Sequence, residues 1–149
     1  MGAAWPDEPL NSEGTFMKKH LLGLAIASCA LALSSAHAMT RDEYNVAKEK
    51  ISADYNVAKA KCDTLKDNAK DVCMKEAKGA ENVAKAELEQ QYKPSVSHSK
   101  KVAEEKAEMK YEVAKEKCDD LAGDAKGACV KQAKADYSAA KASIKREKY

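Results

Sequence analysis

Small apolar and aromatic residues recur along this chain at steps of three and four, separated by lysine, glutamate and aspartate. One stripe runs Tyr44, Ala47, Ile51, Tyr55, Ala58, Cys62 and Leu65, and a second runs Ala69, Cys73, Ala77, Ala80, Ala84 and Leu88. A third follows Ala107, Tyr111, Ala114, Cys118 and Leu121, and a fourth follows Ala125, Cys129, Ala133, Ala140 and Ile144. Such spacing puts each stripe on one helical face, so each predicts an amphipathic helix. Asp67-Asn68 and Gly123-Asp124 interrupt the Ala/Lys pattern, and KPSVSHS, Lys93 to Ser99, holds the only proline after Met39. Asn68 and Asp124 suit helix N-caps, and Gly123 suits a helix end. The pattern predicts helices over 40–66, 69–92, 100–122 and 125–147, each about 35 Å long.

Two periods underlie these stripes. YNVAKAKCDTLKDNAKDVCMKEAK, from Tyr55, returns fifty-six positions later as YEVAKEKCDDLAGDAKGACVKQAK, from Tyr111. A repeat of that length is a duplicated helical hairpin: 39–92 forms the first copy, 93–99 the linker and 100–149 the second. The shorter period is eleven, with YNVAK at Tyr44 and again at Tyr55. Eleven residues make about three helical turns and present the same face each time.

Residues 17–38 read differently. Lys18 and Lys19 precede a short apolar run from Leu21 to Leu33, and Ala36-His37-Ala38 places small residues where a signal peptidase cuts. The run is too short for a good membrane span. Cleavage after Ala38 is expected, with Met39 as the first mature residue. Residues 1–16 carry Asp7, Glu8 and Glu13 and no basic residue. An acidic extension opposes secretion, so translation is expected to begin at Met17, with residues 1–16 a mis-assigned start. The other reading is a genuine leader. Ile26-Ala27-Ser28-Cys29 also fits a bacterial lipobox, and the alternative to cleavage after Ala38 is a lipoprotein anchored through Cys29.

From Met39 onward the chain has 24 basic and 21 acidic residues, a net charge of +3 with the signs interleaved. That is no polyanion-binding field, and it argues against nucleic acid as a partner. The same region lacks Phe and Trp, and its only Leu and Ile residues are Ile51, Leu65, Leu88, Leu121 and Ile144. This is too little for a thick globular core. Abundant Ala, Lys and Glu point to long helices with thin seams, which gain from covalent staples.

The cysteines supply those staples. On one continuous helix, residues eleven apart lie about 16 Å apart, whereas a disulfide needs α-carbons within about 7 Å. The midpoints of Cys62/Cys73 and of Cys118/Cys129 both fall on the predicted turns. Folding back there sets each pair face to face, so Cys62–Cys73 and Cys118–Cys129 disulfides are expected in an exported chain. Four cysteines allow three pairings; the main rival crosses the copies, as in twin-cysteine hairpins of mitochondria. A Cys₄ zinc site would require both tips to meet. Neither a metal nor another cofactor is expected.

Catalytic constellations are not evident. His98 is the one histidine after Met39, and a linker histidine without a placed acid makes no triad. Glu104, Glu105, Glu108 and Glu112 stand among lysines at helical spacing and read as ion-pair partners. The expectation is a non-enzyme.

The motif YxxAKxxCDxLxGNAKDxCxxxAK behind a signal peptide resembles small uncharacterised exported proteins of proteobacteria, some loosely labelled TolA-like or cell-envelope proteins. Both copies quoted above carry it, with Asp67, Asp124 and Gly127 departing from the GNAKD wording. The resemblance implies a periplasmic location. The combined expectation is an all-α protein of two disulfide-stapled antiparallel hairpins, as a thin four-helix bundle or as extended tandem hairpins. Its expected role is a structural or protein-interaction module of the cell envelope, linked to stress. Its partners would be envelope proteins. The alternatives are a holdase-like chaperone whose helices splay to expose Tyr/Val seams to unfolded clients, a ligand-binding helical protein, or contact with a lipid surface through amphipathic faces. The pattern fixes no oligomeric state.

Overall fold

The computed structural model describes residues 38–147. Residues 1–16, and the expected signal segment through His37 with Cys29 and Ala36, lie outside them. Four helices follow in order: α1 (Arg41–Cys62), α2 (Asp67–Tyr92), α3 (Val96–Lys117) and α4 (Gly123–Arg146), with a single 3₁₀ turn at Cys118–Asp120. The fold is all-α, and its two hairpins are stapled by the expected disulfides.

Local chemistry explains the helix starts. Thr40 caps α1 through a reciprocal box: its Oγ1 accepts from Glu43 N at 3.2 Å, and the Glu43 carboxylate accepts from Thr40 N at 2.7 Å. Ser95 caps α3, its Oγ accepting from His98 N at 3.0 Å. The connection between the hairpins is therefore Lys93 to Ser95, shorter than the expected 93–99. Pro94 stops α2, and Ser95 at once begins the next helix.

The tips also differ in detail from the expectation. Neither Asn68 nor Asp124 is an N-cap. Lys66 and Ala122 hold the extended cap position without side-chain hydrogen bonds, and the following residues, Asp67 (φ 50°) and Gly123 (φ 55°), turn the chain in the left-handed region. Asn68 instead reaches across to α3, where its Nδ2 donates to Glu116 O at 3.0 Å. The two copies use one turn: Leu65 N donates to Cys62 O, and Leu121 N to Cys118 O, both at 3.0 Å.

Each helix packs on its neighbours in sequence, α1 on α2, α2 on α3 and α3 on α4, and no packed interface joins α1 to α4. On α3, Met109, Glu112 and Glu116 meet α2, while Ala107 and Tyr111, and Cys118 just past the helix end, lie on the opposite side toward α4. The hairpins thus stand side by side through α2 and α3 as a layer one helix thick, and are not extended in tandem.

Burial follows the repeat. Cys62 and Cys118, Ala77 and Ala133, and Leu88 and Ile144 are three pairs fifty-six residues apart, and all six side chains are buried. Ala86 and Ala107 complete the buried apolar set among the described residues. A core this small cannot hold four helices by area alone, which is why the staples matter.

Candidate functional site: stapled tips, duplicated grooves and open edges

The disulfides close the hairpins where the midpoint argument placed them. Cα–Cα distances are 5.4 Å for Cys62–Cys73 and 5.7 Å for Cys118–Cys129. With Cys62, Cys73, Cys118 and Cys129 all in disulfides, neither the crossed pairing nor a zinc site on these four is formed. Among the described residues no group of three or more His, Cys, Asp or Glu side chains gathers to hold a metal. The α2–α3 connection lies at the opposite end, so both stapled tips share one end of the layer. Lys75 Nζ bridges Glu112 and Glu116 of α3 at 3.2 and 3.8 Å beside them, and Lys117 pairs with Glu76 at 3.3 Å.

Within each hairpin the two helices leave a groove, and the grooves are copies of one another. The first, about 300 Å³, runs between Ile51, Tyr55 and Ala58 of α1 and Ala77, Glu81 and Ala84 of α2. The second, about 230 Å³, is lined by residues fifty-six places on: Ala107, Tyr111, Ala114, Ala133, Tyr137 and Ala140.

Their linings differ at four pairs, Ile51/Ala107, Asp54/Lys110, Ala80/Asp136 and Glu81/Tyr137, and the last is the largest change. Glu81, only 8% exposed, is held by Lys78 at 2.8 Å and Lys85 at 2.6 Å. Those two hydrogen bonds outweigh burial and lower its carboxyl from the ordinary value. At the equivalent place Tyr137 stacks on Tyr111, ring centroids 4.9 Å apart. A second stack, Tyr44 on Tyr92 at 4.5 Å, closes the far end of the first hairpin, and Tyr44 also donates to Glu89. That hydrogen bond raises the Tyr44 hydroxyl.

Of the other residues singled out by sequence, His98, Glu105 and Glu112 have hydrogen-bond or ion-pair partners, whereas Glu104 and Glu108, expected as ion-pair partners, form no salt bridge among the described residues. His98 Nδ1 contacts Lys93 O at 2.6 Å on the first turn of α3. Glu105 pairs with Lys101 at 2.8 Å. Glu112 accepts from Lys75 and Lys115; burial pushes its carboxyl upward, but those hydrogen bonds and charges prevail and lower it. Met39 is half-buried and Ala38 exposed, ahead of α1.

The outer edges present a different chemistry. Val46 and Val57 on α1 are 66% and 57% exposed, and Leu65, Val96 and Leu121 are also large apolar residues facing solvent. Leu65 and Leu121 were expected on the buried stripes; both lie past the helix ends, in the tip turns. No helix among the described residues is long and apolar enough to cross a membrane. No protein-family model, curated protein or solved structure matches this chain.

Proposed function

We propose that this chain is a non-enzymatic structural or protein-interaction module of the cell envelope, working in the periplasm after removal of a signal peptide at Ala38. The observation that carries this reading is the stapled one-layer array. Disulfides belong to an oxidising compartment, and a layer one helix thick presents both faces and both edges to partners. The resemblance to small exported envelope proteins points the same way.

The test is intact mass and crosslinking in the exporting cell. The expected mass begins at Met39 with four oxidised cysteines, and a photo-crosslinker at Leu121, exposed in the tip turn, yields discrete envelope adducts. Free thiols, a lipidated mass beginning at Cys29, or no adduct would overturn the reading.

A holdase role has one observation in its favour, the exposed valines and leucines of the edges and tips. The stapled hairpins and stacked tyrosines oppose splaying, so clients would bind the edges instead. In that case Val46→Ser/Val57→Ser abolishes protection in a client-aggregation assay, whereas the structural module leaves aggregation unchanged with or without the substitutions.

A further inference from the structure

The α2–α3 interface joins one repeat to the next, and both of its faces recur uncovered at the ends of the layer. The face that α3 turns toward α2 corresponds, fifty-six residues earlier, to the outer edge of α1. Glu105, Met109 and Glu112 are half-buried on that face, whereas their counterparts Glu49, Ala53 and Asn56 are exposed, with Val46 and Val57 exposed beside them on α1. The face that α2 turns toward α3 corresponds to the outer edge of α4, where Lys131, Ala135, Ser138 and Ala142 are all exposed. From this we propose that a second copy of this chain docks its α1 edge on the α4 edge of the first, continuing the helical layer head to tail. The proposal deepens the reading as an interaction module and rests on it.

Two features of the edges fit that occupant. At the tightest point of α2–α3, Gly79 accommodates Met109; the corresponding outer residues are Ala135 and Ala53. Two short side chains replace one absent and one long, so close approach is preserved. Charge is complementary as well. Around the groove where Lys85 and Glu89 face Lys101 and Glu105, the outer counterparts are Lys141 and Lys145 on α4 and Asn45 and Glu49 on α1. Lys141 and Lys145 of one copy thus meet Glu49 on the next, with Asp42 close by in sequence. Because the two edges differ, the contact is heterologous, and successive copies form an open array.

Sedimentation velocity of the purified, oxidised protein over a concentration series tests this directly. The expected result is a ladder of species that shortens as salt is raised. Val46→Lys/Val57→Lys blocks the α1 edge and Ala135→Glu blocks the α4 edge; these positions are exposed, and circular dichroism confirms the fold of each variant. Each variant alone is expected to be monomeric, and their mixture to give a 1:1 dimer and nothing larger. A native protein monomeric at every concentration overturns the proposal, as does an Ala135→Glu variant that still dimerises, since that would mean α1 pairs with itself. Neither result bears on crosslinking of Leu121 to other envelope proteins: Leu121 stands in the tip turn, outside both contact faces, and its adducts decide the interaction-module reading separately.

Discussion

Gly79 of α2 lies so close beneath Met109 of α3 that a methyl group at Gly79 would overlap Met109 Cγ and stand 2.8 Å from Met109 Cβ. The Cβ cannot swing away as a side-chain end can, so Gly79→Ala must push the helices apart. Overpacking of this kind costs about 1–3 kcal/mol, against a helix-propensity gain of up to about 1 kcal/mol. Urea unfolding should show a net loss of about 1–2 kcal/mol. Adding Met109→Ala to Gly79→Ala should cost less than the two single changes summed, because the second removes the atoms in conflict.

Gly123 and Gly127 should respond to alanine in opposite directions. Gly123 has φ 55°, where an added Cβ is strained although nothing lies within 4 Å of it. Gly123→Ala should destabilise by about 1–2 kcal/mol. Gly127 lies inside α4 with open space around the same position, and Gly127→Ala should stabilise by up to about 1 kcal/mol. Thermal melts of the two variants check both signs.

Where the chain could be read from its sequence, the reason is that each hairpin seam is built from apolar residues at helical spacing. Ala77, Leu88, Ala133 and Ile144 were all on the stripes and all are buried. The α2–α3 seam was not legible. Apart from Met109 and Ala86, its residues, Lys75, Gly79, Glu105 and Glu112 among them, are polar or lack a side chain, so hydrophobic periodicity passes over them. A lone glycine amid strong helix formers was the available signal. Ser95 was hidden in the same way, since a serine cluster after proline reads equally as linker or as cap. Asn68 failed as a cap because its neighbour Asp67 takes the left-handed turn that Gly123 takes in the second copy.

Removing a staple should weaken its own hairpin. Each disulfide closes a loop of about twelve residues, worth about 3 kcal/mol on the chain-entropy model. The consequences differ by place: α2 is also held by α3, whereas α4 packs on α3 alone. Cys118→Ala/Cys129→Ala should therefore release α4 and raise hydrogen exchange across 123–146 to near-unprotected rates. Cys62→Ala/Cys73→Ala should do the same to α1 and leave α2 protected. Equal loss of protection in all four helices would contradict this division.

Acid should destabilise the fold through Glu81. Its folded carboxyl lies below the ordinary 4.5, chiefly through hydrogen bonds from Lys78 and then Lys85. A lowered folded pKa means that the unfolded chain takes up its proton first as pH falls. The stabilisation is therefore complete above the unfolded value and is lost as pH drops from about 4.5 through the folded pKa. Asp63, held by Lys70 and Lys59, and Glu112 have the same sign. Glu81→Gln keeps the shape but removes the charge, so the variant should be less stable than the native chain at pH 7. The gap should close progressively below pH 4.5, as the native Glu81 itself becomes neutral. Urea midpoints of both proteins between pH 7 and pH 2 measure it, and a gap independent of pH would show that Glu81 acts by packing and not by charge.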